Sequence, residues 1–326
     1  MLRAFHYDPE TGRLETGDTL DFFANRPTGE KHFLWLDLEA ATEDEFRILD
    51  ERFGLDPFVI EECIDVNARP MLQRFRDYIF LILHAPDMSQ VEAGVRTHEM
   101  NIVLMRNVMI TVHPEPIRSI VATMEAVRKE PASTIGKGPD FVLYTILEAL
   151  GENYVAVLDR LDDRIQAMED LLFQEHKGVE FLEAVHPLRK DILYLRRLMV
   201  PQRETIYQLV RGDIGLLSEN SQRNFRLLYD HWVKLNDLLP AYRDSIASLM
   251  DAYTNLMTSR TNRIMQLLTS VTVILMPLNL IVGFYGMNVR NWPSLEPPGL
   301  DGLFIALAMA AVASGLYLLF RRKQLM

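Results

Sequence analysis

Cysteine is almost missing from this chain: Cys63 is the single one in 326 residues. That excludes an intrachain disulfide framework and every CxxC metal or redox motif, and it suits a reducing compartment. Basic residues are also short. Lys and Arg number 34 against 45 Asp and Glu, a formal net charge of -11. Such a balance argues against a nucleic-acid partner, which needs a net basic face, and fits a body that attracts cations. There is no P-loop, no GxGxxG, no nucleophile elbow and no supported pair of catalytic carboxylates, so no enzyme and no prosthetic group is expected. The histidines His84, His98, His113, His176, His186 and His231 follow no HExxH or paired spacing, and read as structural rather than as zinc ligands. The N-terminal MLRAFHYDPE has no apolar core of a secretory signal. Disorder is excluded as well, since 48 % of residues are hydrophobic.

Two stretches lack charge altogether. Ile264–Tyr285 and Gly302–Phe320 contain no Asp, Glu, Lys or Arg. At about 1.5 Å of rise per residue, each can cross roughly 30 Å of hydrocarbon. Arg260 and Arg263 precede the first, and Arg321, Arg322 and Lys323 follow the second. The connecting loop carries Arg290 against Glu296 and Asp301. The positive-inside rule places both termini in the cytoplasm and the loop outside. The expectation is a multi-pass protein of a bacterial or archaeal plasma membrane, in contact with lipid, whose large soluble part is cytosolic.

Within the soluble part, His32–Leu38, Tyr78–Leu83, Met100–Met105 and Val108–His113 are apolar runs of strand length, and Arg106-Asn107 suggests a tight hairpin turn. Thr42 with Glu45 forms a capping-box pattern ahead of a helix over Glu43–Phe53, and Ile117–Lys129 reads as a helix. From Asp140 the strand pattern stops. Leu143, Ile146, Leu150, Tyr154, Leu158, Leu161, Ile165, Met168 and Leu172 recur at three- and four-residue spacing, the mark of a long amphipathic helix. Gly178 is expected to end that helix or lie in the following turn. A second helix is expected from about Glu180 to Val210, and a third from Glu219 to Tyr285 that Pro240 and Pro277 kink without ending. A helix of that length cannot be covered by its own chain, so self-association is expected around it. Between Asp140 and Glu183 eleven acids meet three bases, a net of -8. That segment is a solvated face, or a surface that concentrates hard divalent cations.

Immediately after the first uncharged run stands Tyr285-Gly286-Met287-Asn288. In that position it resembles the YGMN signature of the CorA family of divalent-cation transporters. Met276-Pro277-Leu278, the stretch from Arg243-Asp244 through Leu256 to Thr261-Asn262-Arg263, Glu61-Glu62, Arg69-Pro70, Asp77-Tyr78 and Met109–His113 are similar to family sequence too. The fold class implied is an α+β membrane protein: a cytosolic α/β domain over 1–135, a helical stalk or funnel over 136–263, a pore-lining span over 264–285, an outer loop over 286–301, a second span over 302–320 and a basic tail over 321–326. The resemblance also implies a homopentamer that passes divalent ions inward through one pore, Mg²⁺ foremost with Co²⁺, Ni²⁺ and Zn²⁺ as alternatives.

Residue roles follow from the same resemblance. Gly286, Met287 and Asn288 would be the selectivity motif, with five Asn288 carbonyls accepting hydrogen bonds from the waters of a hydrated ion and Gly286 permitting a tight turn beneath them. Met265, Leu268, Thr272, Met276, Asn279 and Gly283 share one helical face and would line the pore, with Asn262 at its cytosolic end. Glu296 and Asp301 are the outer-loop acids. Two departures stand out. Trp292-Pro293-Ser294-Leu295 replaces an MPEL-like stretch, and Leu227 occupies the place of an aspartate that in some members helps bind a regulatory Mg²⁺ between subunits. The motif is shared with the ZntB-type zinc branch, with or without proton coupling, which stays as the alternative.

Overall fold

The structure is a computed structural model that describes residues 1–19, 22, 32–65, 68–87, 94–174, 178–211, 215–286 and 301–322. Its strands are β1 (Leu2–Asp8), β2 (Arg13–Gly17), β3 (Phe33–Glu39), β4 (Met71–Arg74), β5 (Tyr78–Pro86), β6 (Thr97–Met105) and β7 (Val108–His113). They form one sheet in the order β2-β1-β3-β7-β6-β5-β4. β3 and β7 pair in parallel at its centre, Leu34 opposite Val108, and every other pair is antiparallel.

Both faces of the sheet are covered. Leu34, Leu36 and Leu38 of β3 point to one face, where they pack with Ile110 and Val112 and with two short helices, α1 (Glu43–Phe53) and α2 (Pro57–Ile64), through Phe46, Leu49, Val59 and Cys63. α1 starts where the pattern placed it: Thr42 Oγ1 accepts from Glu45 N at 3.3 Å, and the Glu45 carboxylate accepts from Thr42 N at 2.8 Å. It ends at Gly54, whose φ of 59° is left-handed and favours glycine. The opposite face meets α3 (Arg118–Lys129) and α4 (Pro139–Leu172), which pack on each other; α4 also crosses β3, β5, β6 and β7. The residues of the predicted α4 stripe are all buried.

Three further helices complete the described chain: α5 (Gly178–Arg211), α6 (Glu219–Tyr285) and α7 (Asp301–Arg322). α5 is tied to α4 by Arg164 on Asp191 at 2.6 Å, and Asp191 also accepts the N–H of Val95 at 3.2 Å. β5 is hooked from both helices, since Tyr154 of α4 donates to the His84 carbonyl at 2.9 Å and Gln202 of α5 accepts the His84 N–H at 2.8 Å. The first turns of α6 bury Phe225 and Trp232, with Trp232 edge-on to Tyr154 at 5.2 Å between centroids.

Several expectations need correction. Gly178 opens α5 rather than closing α4, which stops at Leu172. The Arg106-Asn107 turn does join β6 to β7, with Leu104 opposite Met109. It is not of the primed type, because Ala40 is the one non-glycine residue with positive φ among the described residues. Asn107 instead turns its carbonyl to the Leu34 N–H of β3 at 2.9 Å. Compactness divides the chain after Leu249, into Met1–Leu249 and Met250–Met326. The reason is the burial of α4 against the sheet, which makes helix and sheet one core.

Candidate ion pathway

Three described helices are long and apolar enough to cross a membrane: α4, the apolar part of α6, and α7. α4 buries more than half of its apolar window inside the first unit and belongs to the core. The windows of α6 and α7 are almost wholly exposed in the isolated chain. They reproduce the two uncharged runs.

Within the second unit, α6 has two unlike faces. Ser270, only 2 % exposed, continues through the half-covered Ile274, Pro277, Leu278 and Ile281. At about 100° per residue these make one sheltered stripe. Met265, Leu268, Thr272, Met276, Asn279 and Gly283 lie about 180° away and are all exposed, Met265 by 60 %, Leu268 by 66 % and Met276 by 71 %. α7 carries a single half-covered stripe of its own, Ile305, Met309, Ala313, Leu316 and Phe320. One sheltered stripe per helix, with the small residues Ser270 and Ala313 in them, suits close helix packing in a membrane.

The exposed face of α6 has a chemical order. Its hydroxyls are oriented by the helix itself: Thr272 Oγ1 donates to the Leu268 carbonyl at 2.8 Å. Its single hydrogen is committed there, so lone pairs are what the hydroxyl can offer outward. The same face continues further toward the N-terminus than the sequence reading carried it. Thr254, Thr258 and Thr261 stand at the matching spacing, all exposed, and donate to the carbonyls of Met250, Thr254 and Met257 at 2.9, 2.9 and 3.0 Å. The missed signal was the three- and four-residue interval, which runs unbroken from Thr254 to Gly283 across the start of the apolar run. Asn262 is exposed at the edge of this face.

A wall rich in acceptor oxygens suits a hydrated cation, because the waters around a small divalent ion turn their hydrogens outward; the threonine hydroxyls and the Asn279 carbonyl supply such lone pairs. Met265, Leu268 and Met276 interrupt that polar set with exposed apolar side chains.

Gly286 lies in the turn that ends α6, without a left-handed φ. Its N–H bonds to the Val282 carbonyl at 2.8 Å, and a Cβ at this position would stand 3.0 Å from that same oxygen. Glycine suits this close backbone approach at the helix end. Met287, Asn288 and Glu296 lie outside the described residues, as do Lys323 and His176; Asp301 opens α7. Leu227 lies on α6 in the first unit and is 65 % exposed, with no ligand character. Among the described residues no group of three His, Cys, Asp or Glu side chains is placed to hold a metal. His84 and His113 are instead tied into the fold. His113 is bracketed by the Glu115 carbonyl at 2.6 Å and Asp37 at 3.0 Å.

Comparison with known proteins adds four findings. The family model described as CorA-like Mg²⁺ transporter protein matches residues 30–322. The cobalt/magnesium transport protein CorA of Thermotoga maritima is 27 % identical over 281 residues, covering 86 % of this chain and 79 % of that protein. Among solved structures, the CorA magnesium transporter from Methanocaldococcus jannaschii superposes with a TM-score of 0.81 at 24 % identity, over 98 % of this chain and 97 % of the other. The ZntB cytoplasmic domain from Vibrio parahaemolyticus shares the fold at a TM-score of 0.63 and 18 % identity, over 78 % of this chain and 98 % of that one.

Proposed function

The chain belongs to the CorA-like Mg²⁺ transporter family, and from that premise we propose that it conducts hydrated divalent cations, Mg²⁺ foremost, through a pore lined by α6. The observation that carries the reading is the exposed face of α6, which alternates acceptor oxygens with apolar residues opposite a sheltered stripe and leads to the Gly286-Met287-Asn288 motif. Five copies would bring five such faces around one axis. α7 would stand outside them in lipid, with both termini in the cytoplasm and the 286–301 loop outside.

Selection in this reading works on the hydrated ion. Mg²⁺ gives up water reluctantly. A ring of Asn288 carbonyls accepts hydrogen bonds from the inner waters without stripping them, and Asn279, Thr272 and the threonines below repeat the same acceptance. Met276, Leu268 and Met265 form the dry constrictions. Driving force comes from the membrane potential, since a divalent cation gains about 4.6 kcal/mol per 100 mV on moving inward. The absence of an acid at Leu227 removes one carboxylate from between subunits, so gating by Mg²⁺ at that point is weaker than in members that carry it. Co²⁺ and Ni²⁺ are secondary cargo.

The zinc reading rests on the same motif and on the shared fold of the ZntB cytoplasmic domain. Uptake into proteoliposomes separates the two. Full-length protein is reconstituted with an ion-sensitive dye, and Mg²⁺ and Zn²⁺ are compared under an imposed potential, with and without an inward proton gradient. Mg²⁺ entry driven by voltage alone is expected. Zn²⁺ entry that rises with the proton gradient, with little Mg²⁺ flux, overturns the magnesium reading.

A further inference from the structure

The first unit holds a cleft of about 1030 Å³ that the ion pathway does not use. It opens between α5 and one end of the paired strands β5 and β6, lined by Arg69, His84, Thr97, Tyr194, Arg196 and Arg197 among others. Its size is at the upper end of small-molecule sites.

The polar lining is ordered. His84 Nε2 lies 2.8 Å from the Ala68 carbonyl, which makes it the protonated nitrogen; Nδ1 then accepts from Thr97 Oγ1 at 3.3 Å. Tyr194 in turn approaches Thr97 Oγ1 at 2.7 Å. Burial pushes the His84 imidazole below its ordinary range, in keeping with that neutral form. The acid of the lining is Glu99, 3 % exposed, whose two oxygens accept from Ala68 N at 2.9 Å and Asn101 Nδ2 at 3.0 Å. Burial pushes its carboxyl upward, and the Asn101 and Ala68 N–H donors work against that shift.

The arginines are the unusual part. Arg69, Arg196 and Arg197 form no ion pair with any of the described residues. Between His186 and Arg203, α5 carries five bases and one acid, in a chain whose net charge is -11. That acid, Asp191, is already engaged by Arg164. The cleft is therefore a local reversal of sign, with three guanidinium forks and a pair of hydroxyls around a concave space.

We propose that this cleft binds a phosphate-bearing small molecule of nucleotide size. Guanidinium groups match phosphate oxygens in a bidentate way that ammonium groups do not. Thr97 and Tyr194 supply hydroxyls beside them, and Leu193, Leu198 and Val200 supply the apolar wall that a base or sugar ring needs. Sulfate-sized anions would reach only the arginine rim, whereas a di- or triphosphate spans rim and floor.

Isothermal titration of the full-length protein in detergent, free of divalent cations and at constant ionic strength, tests this with ATP and with inorganic pyrophosphate as probes. Wild type is expected to bind ATP, and R196A/R197A to bind it at least about tenfold more weakly, since two charge-assisted hydrogen-bonding groups are removed. R223A/R226A, which removes the same charge from α6, is the control and is expected to stay within about twofold. All four side chains of the cleft-facing and control pairs are surface groups, so folding is checked by equal thermal midpoints rather than assumed. Absence of ATP and pyrophosphate binding to wild type at millimolar concentration overturns the proposal. So does an equal loss in both variants, which would make the effect one of net charge. So does a change of oligomeric mass in R196A/R197A with no binding by wild type, which would assign the cleft to a second copy of the chain.

Discussion

Thr272 shows how one side chain sets the polarity of a wall. Its hydroxyl hydrogen goes to the Leu268 carbonyl, so in the proposed pathway what it would offer an ion's waters is an acceptor. Thr272→Val keeps the shape and removes the acceptor, and Mg²⁺ uptake into proteoliposomes is expected to fall by about tenfold; Thr272→Ser, which can make the same bond, is expected to stay near wild type. Equal rates for valine and serine would remove Thr272 from the pathway. In the first unit, Asp37 is fully buried and receives Arg3 at 3.1 Å, Thr111 at 2.6 Å and His113 at 3.0 Å. Removing it takes the buried acceptor from Thr111 and from the His113 ring, while Arg3 keeps Glu39 at 2.8 Å, so Asp37→Ala is expected to cost about 2–3 kcal/mol of stability. A lower thermal midpoint by circular dichroism checks this, and an unchanged one contradicts it. Cys63 is buried at the α2 side of the sheet, and burial, aided by Glu99 and Glu62, pushes its thiol up to about 12. The native protein is expected not to react with a thiol reagent at pH 8, and to react at once in denaturant. Because the unfolded thiol ionises near about 8.5, the unfolded state holds fewer protons than the folded one above that value. Stability should therefore fall as pH rises from about 9 toward about 12, and Cys63→Ala should flatten that limb.

Helix α4 is the element whose buried face sequence reading found and whose packing partner it did not. Its three- and four-residue apolar rhythm was legible residue by residue, but periodicity shows that a face is buried and not what buries it. The stripe meets the sheet and the first turns of α6, partners that no local pattern names. Elements with a strong local signal were readable to the residue: the Thr42–Glu45 box opens α1, and β7 and α6 have the bounds their patterns gave. What escaped were pieces whose stability is tertiary. β4 has four residues and β2 five, too short for a period, and β1 (LRAFHYD) is buried on both faces and loses its alternation. α2 was legible after all, through Asp56 capping Phe58 N and Pro57 at its first position. The arginine cleft was out of reach because Arg69 and Arg196-Arg197 are brought together by the fold alone. One glycine in α4 offers a test at this scale. A Cβ on Gly151 would meet His231 at 3.4 Å and the Trp232 indole nitrogen at 3.5 Å, ordinary contacts. Gly151→Ala is expected to stabilise by about 0.5–1 kcal/mol through helix propensity, and Gly151→Leu to lower the thermal midpoint by forcing α4 and α6 apart. A midpoint that falls with alanine would show that the contact has no room to give.

At the scale of the whole molecule, the two units ask for different surroundings. The first has a core of its own. The second exposes Ile264, Leu268, Met276, Leu280, Phe304 and Leu307, each by at least 60 %, a surface that an aqueous monomer does not sustain. Lipid covers part of it in the proposed reading, and neighbouring copies cover the α6 face. The pathway itself is tested most directly by placing a reactive thiol on it, since Cys63 is buried and silent. Proteoliposomes holding Met276→Cys or Leu267→Cys are assayed for voltage-driven Mg²⁺ uptake before and after a charged thiol reagent. Leu267 is also exposed, by 49 %, but lies about 140° around the helix from the candidate face. The account predicts that the reagent abolishes uptake through Met276→Cys, leaves Leu267→Cys unchanged, and that Asn288→Ala carries little flux with or without it. Uptake that survives modification at Met276, or is blocked equally at Leu267, would contradict the claim that this face of α6 carries the ion.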